Sequence, residues 1–595
     1  MVHAAPRYSA ALAACGIILG VAPSISLLVQ RAFVNHFTVV IRRGEGRELW
    51  TSSVILLLAV FVLVSVMVDA AETLNVFCVT GVRDRVEGFA KRRLFGRLAR
   101  AKTLDIFENP DQLNALNLAY GGIPRLQRIG EQFGQCVHGV FSLVPVLLLT
   151  ASIAWWIPIL LAGTILPAMV AQLRIEANAW DSEQMLAEDG RRLNLIEQTI
   201  TRPAYAKDVR LFGLSALLLE RWQTLFDHNF ARVNRVRVRG MRANVLWALV
   251  GGVGVGVSLV YVVNGVANGR LTPGDLVLAI GAIVEARRAF AILSYAATQI
   301  SGMTYSIEHF ERFMDDSDAF GQTEQSNARE TRPIPDIPSF PDFITIDNLS
   351  FCYRGSSKPA LEEVSLRIAH GTTVAVVGEN GAGKSTFAKL IGRLYTPTEG
   401  MIRWDGHDIQ SFDIDAYRER LAFMTQDIAE FPFSLQDNLV FGRLNDVPPE
   451  GEIREVLRLT GLSDISTRSD DALAIPITKE LEGGTQLSGG QWQRLALARV
   501  MLRAKQADLL ILDEPTAAFD PATEQEMIDH LLTMSRDKTS IIITHRLALC
   551  TQVDEIVVFH EGRVVERGTH RHLIASGGRY ATMFTIQAER YQSVL

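Results

Sequence analysis

The sequence predicts two domains of different kinds: an N-terminal all-α polytopic membrane domain of six helices, and a C-terminal soluble α/β domain built on a phosphate-binding loop. Three observations carry this. The chain is 48% hydrophobic with a mean hydropathy of +0.16, and the excess sits in its first half. Gly378-Glu379-Asn380-Gly381-Ala382-Gly383-Lys384-Ser385 is a complete phosphate-binding loop. Between the two lies 318–342, a linker in composition, with Pro333, Pro335, Pro338 and Pro341. At 595 residues the chain is too long for one core. The boundaries read are 1–317, 318–342 and 343–595.

A bilayer core of ~30 Å takes about 20 apolar residues of helix at ~1.5 Å each. Six segments qualify, at roughly 9–30, 52–78, 131–152, 154–173, 243–266 and 273–300. Arg7 and the apolar run after it are read as a retained first span, because no small-residue cleavage site follows. The third and fourth spans nearly touch and form a tight hairpin, with Trp155-Trp156 as an interface anchor. Gly251, Gly252, Gly254 and Gly256 are expected to let another helix approach the fifth.

The connections 79–130 and 174–242 are long and rich in arginine, which places both, and both chain ends, in the cytoplasm. Val82, Val86, Phe89, Leu94 and Leu98 recur near a 3.6 period. Each connection is therefore read as two long helices with a short element at its far tip. The net charge of -6 gives no sign of nucleic-acid binding. Cys15, Cys78, Cys136, Cys352 and Cys550 are scattered, with no disulfide framework and no metal-ligand spacing.

In the second half, Val374-Ala375-Val376-Val377 is a short apolar strand, the glycine loop follows, and Ser385 onward reads as a helix. Glycines let backbone N–H groups turn around phosphate oxygens. Lys384 adds a charge at the terminal phosphates, and the Ser385 hydroxyl suits Mg2+. Leu509–Leu512 reads as a second buried strand ending in Asp513-Glu514. A carboxylate there reaches the Mg2+ shell (Asp513), and the next polarises an attacking water (Glu514). Leu487-Ser488-Gly489-Gly490-Gln491 lies between the two.

With these motifs in this order, the second half resembles the nucleotide-binding domain of an ATP-binding-cassette (ABC) transporter. The first half resembles the membrane domain of its exporter-type (type IV) branch. The resemblance covers nearly the whole chain and implies roles. Tyr353 would stack on adenine, and Gly378 to Ser385 with Thr386 would bind ATP. Gln426 would sit on Mg2+ with Ser385 and Asp513. Glu514, His545 and Gln426 would be catalytic, with His545 on the γ-phosphate, and Asp520 would belong to the D-loop. Leu487, Ser488, Gly489, Gly490 and Gln491 would be the signature that meets ATP held by an opposite subunit. Phe519 stands where the family usually has Leu, and 478–484 is a loose version of the exporters' segment before the signature. The tips near Phe107–Leu118 and Arg202–Phe212 look like coupling helices that dock on nucleotide-binding domains.

One membrane domain plus one ATPase domain makes a half-transporter, so a second copy is the expected partner. A homodimer is preferred over a heterodimer because Glu514, His545, the signature and Asp520 are all intact. ATP and Mg2+ are the expected cofactors, and the bilayer and a peptide, drug or lipid-like cargo the other partners. Leader-cleaving peptide exporters carry a protease domain before the first span, which is not expected here. Asp69 and Glu72 in the second span, and Glu285, Arg287 and Arg288 in the sixth, fall at similar depths and mark either a polar cargo cavity or a structural ion pair. The expected activity is ATP-driven export across the cytoplasmic membrane. The alternatives are import on the same fold, as of a metal–chelator complex, or a membrane-anchored ATPase with a signalling or gating role.

Overall fold

The computed structural model describes residues 5–43, 52–163, 166, 167, 170, 187–315, 337, 338, 341–466, 472–517, 519, 521–536 and 538–592. Two compact units emerge. One comprises 1–98 and 114–315, the other 99–113 and 316–595. Most of the expected linker, and Asp520 with its neighbour Ala518, lie outside the described residues.

The helices of the first half are α1 (Pro6–Arg43), α2 (Ser52–Ala99), α3 (Asp105–Glu108), α4 (Pro110–Leu126), α5 (Ile129–Ile153), α6 (Ala187–Thr201), α7 (Ala206–Leu211), α8 (Ser215–Ala267) and α9 (Pro273–Asp315). At 48 and 53 residues, α2 and α8 far exceed what a bilayer needs, so their ends extend beyond it. A 3₁₀ turn, Pro203–Tyr205, and the short α7 form the tip between α6 and α8.

Among the described residues, α1, α2, α5 and α8 are long and apolar enough to cross a membrane. The sixth expected span, within α9, is not among them, because Glu285, Arg287 and Arg288 interrupt its apolar run. One face of it is buried against its neighbours, and another is exposed, with Ile280 and Val284 at the surface. Leu278, Ala279, Ala282, Ile283, Ala286 and Ala289 are buried, and α9 packs on α1 and α5. Most of the fourth expected span beyond residue 163 lies outside the described residues.

Close helix approach occurs at other glycines than those expected. A Cβ on Gly20 of α1 would lie 2.8 Å from the His138 carbonyl oxygen of α5, and one on Gly281 of α9 would lie 2.1 Å from Leu27. Nothing lies within 4 Å of a Cβ on Gly251, Gly252 or Gly256. The N-terminus of α9 is tied down by Asp275. Its Oδ2 accepts from the Thr272 backbone at 2.7 Å and hydroxyl at 2.8 Å, and its Oδ1 lies 2.7 Å from the Arg31 guanidinium.

The second unit holds two sheets. Strands β1 (Phe343–Phe351), β2 (Leu361–Ala369), β4 (Glu399–Trp404) and β5 (His407–Asp408) form an antiparallel sheet in the order β2-β1-β4-β5. Strands β3 (Thr373–Gly378), β6 (Leu421–Met424), β7 (Leu509–Asp513), β8 (Thr539–Ile543), β9 (Glu555–His560) and β10 (Arg563–Gly568) form the other, in the order β10-β9-β3-β8-β7-β6. From β9 to β6 every pairing is parallel. Every residue of β3, β7 and β8 is buried, as expected of apolar strands covered on both faces.

Segment 99–113 is part of this second unit. Leu104 N–H donates to the Leu394 carbonyl at 3.1 Å, Arg418 Nη2 to the Lys102 carbonyl at 2.7 Å, and the Tyr395 hydroxyl to Glu108. The docked tip thus starts before the expected 107–118. The helix α2 ends at Ala99, and the irregular backbone after it must pair its polar groups elsewhere.

Gly20→Leu is expected to lower the stability of the detergent-solubilised protein by roughly 1–3 kcal/mol, because the α1–α5 approach leaves no room. Gly252→Leu is expected to change it by less than about 0.5 kcal/mol. Thermal unfolding of the two variants side by side checks the ranking.

Candidate functional site

Four neighbouring strands, β3, β8, β7 and β6, end at one edge of the parallel sheet. The ladder pairs Val376 with Ile543, Ile543 with Asp513, and Leu512 with Met424. The next residues along each strand are Gly378, His545, Glu514 and Gln426. The carboxyl edge of a parallel sheet is where such folds collect their ligand-binding groups.

Gly378 to Gly383 wraps from β3 into α10 (Lys384–Ile391). Gly378 has φ +153, and a Cβ there would lie 2.2 Å from the Phe559 carbonyl oxygen; Gly383 has φ +99, and a Cβ there would lie 2.6 Å from the Ala360 carbonyl oxygen. Only glycine fits either place. Glu379, Asn380 and Gly381 are exposed at the loop's tip, while Ala382 and Thr386 are buried at its base. Lys384, 6% exposed, folds back and donates to the carbonyls of Gly378 at 2.9 Å and Glu379 at 2.8 Å. Burial holds its ammonium below the usual lysine range, partly offset by Asp513 and Glu514. Its charge is pre-placed where phosphate oxygens would replace those carbonyls.

Burial pushes the Asp513 carboxyl up; a hydrogen bond from Ser385 opposes this, and the adjacent Glu514 adds to it. Oδ1 of Asp513 is buried with no hydrogen-bond partner. An orphaned carboxylate oxygen beside a serine hydroxyl fits a divalent cation. Asp513, Ser385 and Gln426 would hold Mg2+ there, which would neutralise charge on phosphate oxygens.

Glu514 turns out of β7 with φ +54. Its Oε1 lies 3.1 Å from His545 Nε2 and 3.5 Å from Gln426 Nε2. Gln493 donates to its backbone carbonyl at 3.1 Å. Two of the expected catalytic side chains, His545 and Gln426, therefore converge on the carboxylate of the third. Burial lowers the His545 imidazole, the Lys384 charge lowers it further, and Glu514 raises it. Tyr353 is half-buried beside the loop helix, with its hydroxyl 3.0 Å from Thr386 Oγ1.

The signature segment opens helix α11 (Gly489–Ala504) with a capping box. Ser488 Oγ accepts from Gln491 N–H, and Gln491 Oε1 accepts from Ser488 N–H at 2.9 Å. Leu487 is buried in the core, so its side chain anchors the segment, and that of Gln491 is spent on the cap. Ser488, Gly489 and Gly490 are the exposed part. Among the described residues, no hydrogen bond or ion pair joins Leu487–Gln491 to the phosphate loop of the same chain.

Residues 361–517 match the sequence pattern of the family described as ABC transporter. This is an ABC transporter domain. The chain is 32% identical over 381 residues to the ATP-dependent lipid A-core flippase of Xylella fastidiosa, covering 64% of this chain and 62% of that protein. It is 39% identical over 241 residues to a multidrug efflux ATP-binding/permease protein of Mycobacterium bovis, covering 40% and 20%. The chain thus spans less than two thirds of the length of these relatives. A solved bacterial Atm1-family ABC exporter with ATP bound superposes over 98% of both chains with a TM-score of 0.74 at 24% identity. The fold of the whole chain is that of this solved exporter, helical in its first half and α/β in its second.

In the helical half of the chain, Asp69, Glu72, Arg287 and Arg288 are exposed, and Glu285 is half-buried. Among the described residues none of the five closes an ion pair with another, so the structural pairing read as one alternative is not formed. Glu285 instead accepts from Ser142 of α5 at 3.1 Å. His138, one turn before Ser142, sits within electrostatic range of Glu72, Glu285 and Arg288. Sequence reading passed over it; the signal was a lone histidine within an otherwise apolar span.

The His545 imidazole is expected to titrate below the ordinary histidine range. Removing Lys384 (Lys384→Met) raises it, and Glu514→Gln lowers it further. The folded protein binds this proton less readily than the unfolded chain, so the stability tied to His545 is present above about pH 6.5 and lost as pH falls through the lowered value. Histidine-labelled NMR of the three proteins checks both directions.

Proposed function

We propose that the chain is one half of an ATP-driven exporter of an amphipathic, lipid- or drug-like cargo. It works in the cytoplasmic membrane, with both long helical tips, both chain ends and the ATPase unit on the cytoplasmic side. The division read from sequence, a membrane domain to 317, a linker to 342 and a nucleotide-binding domain beyond, is kept. The observation that carries the reading is the convergence of His545 and Gln426 on Glu514, beside the Lys384 loop. The lipid A-core flippase and the multidrug efflux protein point to the cargo class.

ATP lies on the loop Gly378–Thr386 with adenine against Tyr353. Lys384 releases its two carbonyl partners and turns its charge to the terminal phosphates. Glu514 accepts a proton from the attacking water, and His545, neutral near pH 7, donates from Nε2 and holds the γ-phosphate and Glu514 in line. Ser488, Gly489 and Gly490 of a second copy close over the same phosphates. Two chains therefore share two sites, and a homodimer is the simplest assembly.

Closure of the sandwich is a state ATP binds better than the open one. Its movement reaches the helical half through the segment held by Tyr395, Arg418 and Leu394. The second tip leaves Leu211 and Phe212 exposed at 78% and 68%. This fits docking on the partner's ATPase unit. Asp69, Glu72, Glu285, Arg287 and Arg288, with His138 and Ser142, form the polar part of the cargo path.

Glu514→Gln is expected to lower ATP turnover by roughly 10²- to 10⁴-fold while nucleotide binding persists. Turnover at the wild-type rate would remove Glu514 from its role. In proteoliposomes, neutralising Arg287 and Arg288 together is expected to change cargo-stimulated turnover while leaving the unstimulated rate and thermal stability near wild type. Outward movement of labelled lipid or drug in inside-out vesicles separates export from import, and hydrolysis without any movement would point to a gating role.

A further inference from the structure

The switch loop that carries His545 is held from a part of the chain with no place in the ABC motifs. Helix α12 (Arg579–Gln592) lies along its outer side. The two ends of one carboxamide are both used. Gln587 Nε2 donates to the His545 carbonyl at 3.0 Å, and Gln587 Oε1 accepts from Leu547 N–H at 2.8 Å. The pair of bonds brackets Arg546, the residue after the histidine, and fixes the amide's orientation, since a flipped amide would set donor against donor.

A cleft of about 400 Å³ lies beside the loop, bounded by Gly378, His545, Leu547, Met583, Ile586 and Gln587. The same stretch is also held by Arg546, which pairs with Glu524 and whose N–H donates to Thr544 Oγ1 at 2.9 Å, and by Leu547, which is buried. The helix that supplies the tie is itself rigidly seated. Tyr580 is fully buried, and its hydroxyl lies 2.8 Å from His570 Nδ1. Glu566 accepts from the backbone N–H groups of Arg579 at 2.5 Å and Tyr580 at 3.0 Å, which caps α12. Met583 and Phe584 pack on the small core of Leu547, Cys550 and Leu573.

We propose that Gln587 is a positioning residue for ATP hydrolysis: it sets the backbone of the switch loop so that His545 Nε2 meets Glu514 and the γ-phosphate. The inference rests on the role given to His545 above. Its two bonds go to the backbone on either side of Arg546, so it acts through the histidine.

The test uses full-length protein in lipid, with steady-state ATP turnover, KM for ATP and melting temperature measured for Gln587→Ala, His545→Ala and the double variant. Gln587→Ala is expected to lower kcat roughly 5- to 30-fold, the loss of two ordinary hydrogen bonds, with KM within about twofold of wild type. On the His545→Ala background the second substitution is expected to cost nothing more. Gln587→Met keeps the length of the side chain but offers no donor, and is expected to match Gln587→Ala; it also carries the test should the alanine variant fold poorly. A full additive loss in the double variant, an effect on KM alone, or wild-type kcat in Gln587→Met would each overturn the proposal. If His545→Ala itself turned over ATP normally, the reading of the switch would fail first, whatever Gln587 does.

Discussion

The register of one parallel sheet governs the nucleotide site. Strands β3, β8, β7 and β6 run side by side and finish together, so the phosphate loop, His545, Asp513 with Glu514, and Gln426 emerge in a row. Neighbouring strands are about 4.8 Å apart, the spacing at which short side chains from adjacent ends can meet. A slip of one residue in β7 would turn Asp513 to the opposite face and carry Glu514 away from His545. Burial of every residue in β3, β7 and β8 is what makes such a slip costly.

The same sheet explains why the site is half of something. Its edge supplies a lysine, a carboxylate pair, a histidine and a cradle of N–H groups. The complementary element, the exposed N-terminus of α11, is present on the chain but unbonded to that cradle. Its capping box satisfies part of the helix end and leaves further N–H groups and the positive end of the helix dipole facing outward. An anion brought by another copy suits that end. In the proposed function, nucleotide lies between two protein surfaces and favours the closed pair of chains over the open pair.

The chemistry was legible because its motifs are local. A glycine at Gly378 or Gly383 is demanded by backbone geometry within a few residues, and Asp513-Glu514 sits at the end of an apolar strand that announces itself. The long helical connections were legible from period and charge. What escaped was tertiary. The sequence around Gln587 offers no motif, and its two partners lie about forty residues away. The glycine run from Gly251 to Gly256 says what the backbone permits, not which neighbour is there, and the close approaches fell at Gly20 and Gly281. The charges of α9 were read as marks on a span; the fold buries one face of that helix and leaves Arg287 and Arg288 exposed.

The claim that the site is completed by a second chain is open to a direct measurement. In a chain whose five native cysteines are replaced by serine, Asn380→Cys and Ser488→Cys are introduced together with Glu514→Gln. A short bifunctional thiol reagent is added with and without ATP, and the products are separated on a denaturing gel. The expected result is a covalent dimer that forms with ATP and is weak or absent without it. Only monomer, with both cysteines shown to be reactive, would contradict a site shared between two copies.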